Sequence, residues 1–223
     1  VDDMPAGVHS DEYDVLREFR LADLLDDGAR CHALAEGFLN QLEEGDSPLI
    51  AAAAARIGFQ TVTRAPAPRV ADLGDLRRLS NQFLERGRAG LNDDWRRGYH
   101  GDQLALAEAY AARGDGRSAV AEFRSAVDLA EPFGAFFALE PRLDLAEELL
   151  AQGGRDEGRE LLVECWTTAK EMGAGGLECR AARLATRTRV PLPEGASSEG
   201  PLSRLTPRER EVLDQLAMGA TNR

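Results

Sequence analysis

The 223-residue sequence is poor in everything that builds a disulfide framework, a sheet or a membrane span. Its three cysteines, Cys31, Cys165 and Cys179, form no C-x-x-C pair and are odd in number, which argues against a disulfide scaffold and fits a reducing cytoplasm. Aromatic residues are 6% of the chain and β-branched residues are scattered, so propensity favours helix over strand nearly everywhere. The longest apolar run, Leu49 to Ala55, falls far short of the ~20 residues a membrane helix needs, and no signal peptide opens the chain, so no membrane partner is expected. Positive charge is scarce too: the formal charge is −12, and residues 1–50 hold thirteen acids against three arginines. A surface this negative repels phosphate and excludes non-specific nucleic-acid binding by the bulk of the chain.

Catalytic and cofactor signatures are also missing. No G-x-x-x-x-G-K-[ST] occurs, and GAGG at Gly173 to Gly176 lacks the lysine that would meet a phosphate. No G-x-S-x-G appears, and no serine or cysteine has a recognisable base partner. Cys31-His32 has no second pair at metal-ligand spacing, and His9 and His100 stand alone as solvated side chains, so no metal and no cofactor are assigned. Glu147-Glu148 and Asp93-Asp94 are paired carboxylates, but neighbours on a helix point ~100° apart, and a solvated face is expected for each pair. Trp95, Arg96, Arg97 and Tyr99 form a small basic aromatic cluster, read as a contact between helix ends rather than a stacking platform. The chain is expected not to be an enzyme.

What the sequence does have is a repeat. Leu104–Ala135 aligns without a gap on Leu143–Ala174, at an offset of 39: Leu106 meets Leu145, Tyr110 meets Leu149, Gly114 meets Gly153, Ala119 meets Gly158, Phe123 meets Leu162, Ala130 meets Ala169 and Gly134 meets Gly173. Each unit reads as a helical hairpin. Leu106 and Tyr110 lie one turn apart, Gly114 stands where a left-handed closing residue is needed, and Ala119, Phe123 and Ala126 form a face where a second helix can approach closely. One hairpin cannot bury its apolar face alone, so stacking follows. The spacing Tyr110, Ala119, Phe123, Ala126 resembles the tetratricopeptide pattern.

Upstream, apolar residues recur at Val15, Phe19, Ala22 and Leu25, and at Cys31, Leu34, Phe38 and Leu42, as amphipathic helices require. Further helices are expected from PLIAAAAARIGF and RVADLGDLRRLSNQFLERG, parted by RAPAPR with its two prolines. Ala51–Ala55 signals close helix packing, and Gly176–Arg187 a capping helix. The resulting expectation is an all-α fold: a tetratricopeptide-like repeat region over 1–189, a linker over 190–204 rich in proline, glycine and serine, and a separate module over 205–223.

That last module, LTPREREVLDQLAMGATNR, opens on a sharply specified helix. Thr206 can cap it, Pro207 suits its first position, and Glu209 stands where a capping box wants a carboxylate. Leu205, Val212, Leu213 and Leu216 are its expected buried side, Gly219 ends it, and Thr221 is the cap of another helix that the sequence does not contain. The pattern resembles the start of the LuxR-type helix-turn-helix domain of bacterial transcription regulators. It matches in the Leu-Thr-x-x-Glu opening, the Val-Leu pair, the glycine turn and the Asn-Arg after it, and departs only at Ala220, where a larger apolar residue is commoner.

The order of repeats, linker and tail is similar to that of the large ATP-binding, MalT-like class of that family. The resemblance implies an upstream nucleotide-binding module, a base-reading helix beyond the one starting at Asn222, and a last helix through which full-length members form homodimers. By the same resemblance Thr221, Asn222 and Arg223 sit nearest the phosphate backbone, DNA being a partner only of the full-length protein. The opening at Val1 is read likewise as a chain that continues upstream. The repeats are then a sensor or interaction surface for a protein partner or a small inducer. The alternative is a free-standing tetratricopeptide-like adaptor that binds proteins and no DNA.

Overall fold

The computed structural model of the protein describes residues 14–20, 28–41, 48–64, 73–90 and 101–193. The tail with Thr206, Glu209, Thr221, Asn222 and Arg223 lies outside these residues, as do 194–204 of the linker, His9, His100, and the segment holding Asp93, Asp94, Trp95, Arg96, Arg97 and Tyr99. Among the described residues there is no strand, and the all-α expectation holds. A helical segment spans 14–20, followed by α1 (Gly28–Gln41), α2 (Pro48–Arg64), α3 (Leu73–Gly90), α4 (Gly101–Gly114), α5 (Val120–Ala130), a 3₁₀ turn (Glu131–Phe133), α6 (Ala135–Ala151), α7 (Arg155–Glu171) and α8 (Gly175–Thr188). They divide into two compact units, one up to Pro141 and one from Arg142.

In the first unit α2 is the central element, packed on α1, α3 and α4. Its alanine run explains why. Ala51, Ala52, Ala54 and Ala55 are buried, and a Cβ added to Gly87 of α3 would sit 3.3 Å from the backbone of Ala52, so small residues on both helices set the close approach that Ala51–Ala55 signalled. Large side chains fill what remains: Phe19, Ile50, Leu76, Phe83 and Leu106 are fully buried, and the Phe38 and Phe83 rings lie 5.8 Å apart. On α1 the buried stripe is Cys31, Ala35 and Phe38, with Leu34 half-buried, a small rotation of the expected face.

The second unit holds the rest of α6 with α7 and α8. Gly158 of α7 lies against Leu149 and Leu150, where an added Cβ would come within 2.9 Å of the Leu150 side chain. The repeat is visible in the burial pattern of the two hairpins. Leu106 and Leu145, Tyr110 and Leu149, Ala119 and Gly158, Phe123 and Leu162, and Ala130 and Ala169 are all buried. Tyr110 and Phe123 meet edge to face at 5.4 Å.

Three details differ from the sequence reading. Gly114 is not the left-handed closure of α4. Asp115 N–H still bonds the Ala111 carbonyl, and the chain turns at Gly116, φ +69°, because Gly-Asp-Gly offers a second glycine after one more helical bond. Gly153 (φ +89°) and Gly173 (φ +68°) do close their helices. At all three turns the next N–H returns to a carbonyl five residues back, Arg117 to Ala112, Gly154 to Leu149 and Ala174 to Ala169. Second, α6 starts at Ala135, well before the aligned repeat, and carries Pro141 inside it, where no N–H is available for the Phe137 carbonyl. The two units part at this proline. Third, the capping helix extends one residue further at each end, Gly175–Thr188.

Candidate functional site

Polar side chains inside a helical stack need partners, because burying a lone charge or amide costs several kcal/mol (~2–7 for a neutral group). In the first unit α2 carries two of them, Arg56 and Gln60, one helical turn apart on one face and both buried. Around them runs a chain of hydrogen bonds. Gln60 Nε2 donates to Tyr110 Oη at 3.0 Å, and its Oε1 accepts from Arg20. Arg20 Nη2 then reaches Glu140 Oε1 at 2.8 Å, and the second oxygen of Glu140 lies 2.6 Å from Arg56 Nη2. Arg56 Nη1 donates to Gln103 Oε1 at 2.9 Å, and Gln103 Nε2 to Asp102 Oδ2 at 2.8 Å. One carboxylate, Glu140, is thus shared by two guanidinium groups.

Asp102 closes this chain at a cost. Burial raises its pKa above the ordinary carboxylate value, and the hydrogen bond from Gln103 and the charge of Arg56 offset that only in part. The network joins the segment 14–20, α2, α4 and the start of α6 within the first unit. Its hydrogen bonds and ion pairs fix the register of these helices.

The Cys31-His32 pair is pulled apart by helix geometry. Cys31 is buried against the Phe19 carbonyl and Thr61, whereas His32 Nε2 lies 3.3 Å from Asp75 Oδ2 near the surface. Hydrogen bonds from Arg78 and His32 hold the Asp75 carboxyl below its usual range. Among the described residues no three His, Cys, Asp or Glu side chains converge as metal ligands. All three cysteines are buried and in no disulfide, and burial pushes the Cys165 thiol up to about 12.

Glu147 and Glu148 correct the expectation of a solvated carboxylate face. Glu148 is buried and accepts from Gln152, while Glu147 takes Arg180 and Arg187 of α8. The reason is the α8 contact. Asp144, wholly buried, is paired with Arg180, and Glu148 lies one helical turn from Asp144 on the same side of α6. Sequence reasoning missed Asp144, Arg180, Arg56, Gln60 and Glu140. A signal for two of the acids existed: in the repeat register Asp144 aligns with Ala105 and Glu148 with Ala109, and both alanines are buried.

No family profile, curated protein or solved structure matches the chain. Among the described residues no helix is long and apolar enough to cross a membrane. On the surface of the first unit Phe133, Phe136 and Phe137 are exposed together, with the Phe136 and Phe137 rings 5.8 Å apart; in the second unit Met172, the repeat counterpart of Phe133, is exposed as well.

Proposed function

We propose that the chain is a regulatory, non-catalytic segment of a LuxR-type transcription regulator, in which helical hairpins control a DNA reader that begins at Leu205. The observation that carries this reading is the tail LTPREREVLDQLAMGATNR, with its Thr206 cap, Glu209 capping box and Thr221-Asn222-Arg223 opening, placed after a helical repeat and a Pro/Gly/Ser-rich stretch. The described helices support it in a general way: a buried polar network ties the helices of each unit together, Arg56 with Glu140 in the first and Asp144 with Arg180 in the second, and helical hairpins offer a surface that can take a partner or an inducer. Binding there shifts the balance between a resting and a DNA-competent state. Without the base-reading helix the 223-residue chain alone binds no operator, and a gel-shift titration that found tight, sequence-dependent binding by it would contradict the reading. In the full-length protein, promoter activation changes when residues 100–188 are deleted; activation that survives the deletion unaltered counts against control by the repeats.

One observation favours the other reading, a protein-binding adaptor. Exposed Phe133, Phe136 and Phe137 are the kind of rigid aromatic anchors that protein interfaces use.

A further inference from the structure

Arginines of this acidic protein are usually matched by carboxylates among the described residues: Arg30 by Glu18, Arg77 by Asp115, Arg88 by Glu85 and Glu108, Arg142 by Glu164. One place breaks the pattern. A cleft of about 550 Å³ in the second unit is lined by Arg155 and Arg159 from the first turns of α7 and by Arg187 and Arg189 from the end of α8. Of these only Arg187 has an acidic partner, Glu147. The counter-charge lining the cleft is a single carboxylate, Asp156.

Both helices bring these side chains together for local reasons. Arg155 and Arg159 are one turn apart and share a face of α7. The N-cap of that helix is Gly154, which has no side chain to cap the first-turn N–H groups, and Asp156 and Glu157 stand in that turn. α8 closes on Arg189 at φ +57°, with Val190 N–H returning to the Ala185 carbonyl at 2.9 Å. The other three closures of this type use glycine, and Arg189 is the non-glycine residue with positive φ among the described residues. Four arginines round one cleft with a single lining carboxylate leave positive charge that an anion can bridge. Planar guanidinium forks match phosphate oxygens two at a time.

We propose that this cleft binds a small organic phosphate, its phosphate oxygens held by Arg155, Arg159 and Arg189 and its body lying on the apolar wall of Leu150, Val190 and Pro191. The cleft falls in the ~300–1,000 Å³ range of small-molecule sites. A net charge of −12 disfavours a long polyanion, which must approach the whole surface, far more than a ligand of a few charges, which meets only the local field. The site stands on the cleft by itself. That its occupancy reaches the tail, making the ligand an inducer, rests on the regulator reading above.

The test is a calorimetric titration of the 223-residue chain at low ionic strength with inorganic pyrophosphate and with uridine diphosphate. Both bind, uridine diphosphate the tighter because only it uses the apolar wall, with a dissociation constant below about 1 mM. Arg155→Gln combined with Arg159→Gln weakens both by about tenfold or more, whereas Arg183→Gln, on an exposed part of α8 outside the cleft, changes neither. Arg189→Gly separates binding from folding: glycine relaxes the backbone, so the melting temperature holds or rises while affinity falls. No heat up to about 10 mM ligand, or an equal loss in Arg183→Gln, would overturn the proposal. So would uridine diphosphate binding no tighter than pyrophosphate, or duplex DNA that binds through these arginines and is not displaced by either ligand. None of these outcomes needs a promoter, so failure of the site and failure of the regulator reading are told apart.

Discussion

The carboxylate of Asp144, fully withdrawn from solvent on α6, is held by the guanidinium of Arg180 on α8, thirty-six residues along the chain. A buried ion pair of this kind is weak evidence for stability, yet breaking it by removing one partner is costly, because the other charge stays behind. Arg180→Gln is therefore expected to destabilise the second unit by about 3 kcal/mol, the low end for such breaks, since Arg180 is itself a quarter exposed. Glu147→Gln, whose carboxylate is more open to water, costs about 1 kcal/mol or less. Urea unfolding of both variants measures the difference; equal small effects would show that the pair is not a clamp.

Glycine substitutions read the helix packing with a sign. Gly37 in α1 is exposed and has nothing within 4 Å of an added Cβ, so Gly37→Ala gains the helical preference of alanine, about 0.5–1 kcal/mol. Gly87→Ala meets the backbone of Ala52 and must push α2 and α3 apart, so it loses more than it gains, about 1–3 kcal/mol net. Thermal melts that move the same way for both would contradict the α2–α3 contact.

Asp102 sets part of the pH dependence. Its folded pKa is raised, chiefly by burial, so the folded state holds the proton where the unfolded state has released it. The stability it contributes is whole below the unfolded value near 3.8 and is lost as pH rises through the raised folded value. Asp102→Asn removes that loss. Comparing urea midpoints at pH 4 and pH 7, the wild-type chain is expected to fall relative to the variant at the higher pH.

Cys165 behaves alike at the alkaline end. Its thiol is held protonated by burial to about 12, against an ordinary 9.0, so stability present below pH 9 is lost as pH climbs toward 12. The same burial leaves no thiolate at neutral pH. Iodoacetamide at pH 8 is expected to leave Cys165 unmodified in the folded chain and to label it in urea; rapid labelling without denaturant would refute the buried placement.

The helices were legible in the sequence because their signals are local. Repeated glycines, alanine runs and apolar residues at 3.6 spacing are read within a turn or two, and the 39-residue offset aligns positions that are buried in both hairpins. What local reading misassigned was conformational: Gly114 and Gly116 are both glycine, and only the final helical bond at Asp115 decides between them. The polar networks were not legible, since Arg56 with Glu140, or Asp144 with Arg180, are joined only by the packing of helices distant in sequence. A charged residue directly after an alanine run, as Arg56 is, or a carboxylate aligned with a buried alanine, marks such a residue as paired without naming its partner.

The central claim is that Leu205–Arg223 starts a DNA reader governed by the hairpins before it. Its most direct test is the coding sequence that follows codon 223, read over the next forty codons or so, enough for the rest of a helix-turn-helix unit. The account predicts an acidic residue at 224, completing the Thr221 capping box, and then a basic amphipathic helix fit for the major groove. A stop codon, or an extension with no such helix, would contradict it.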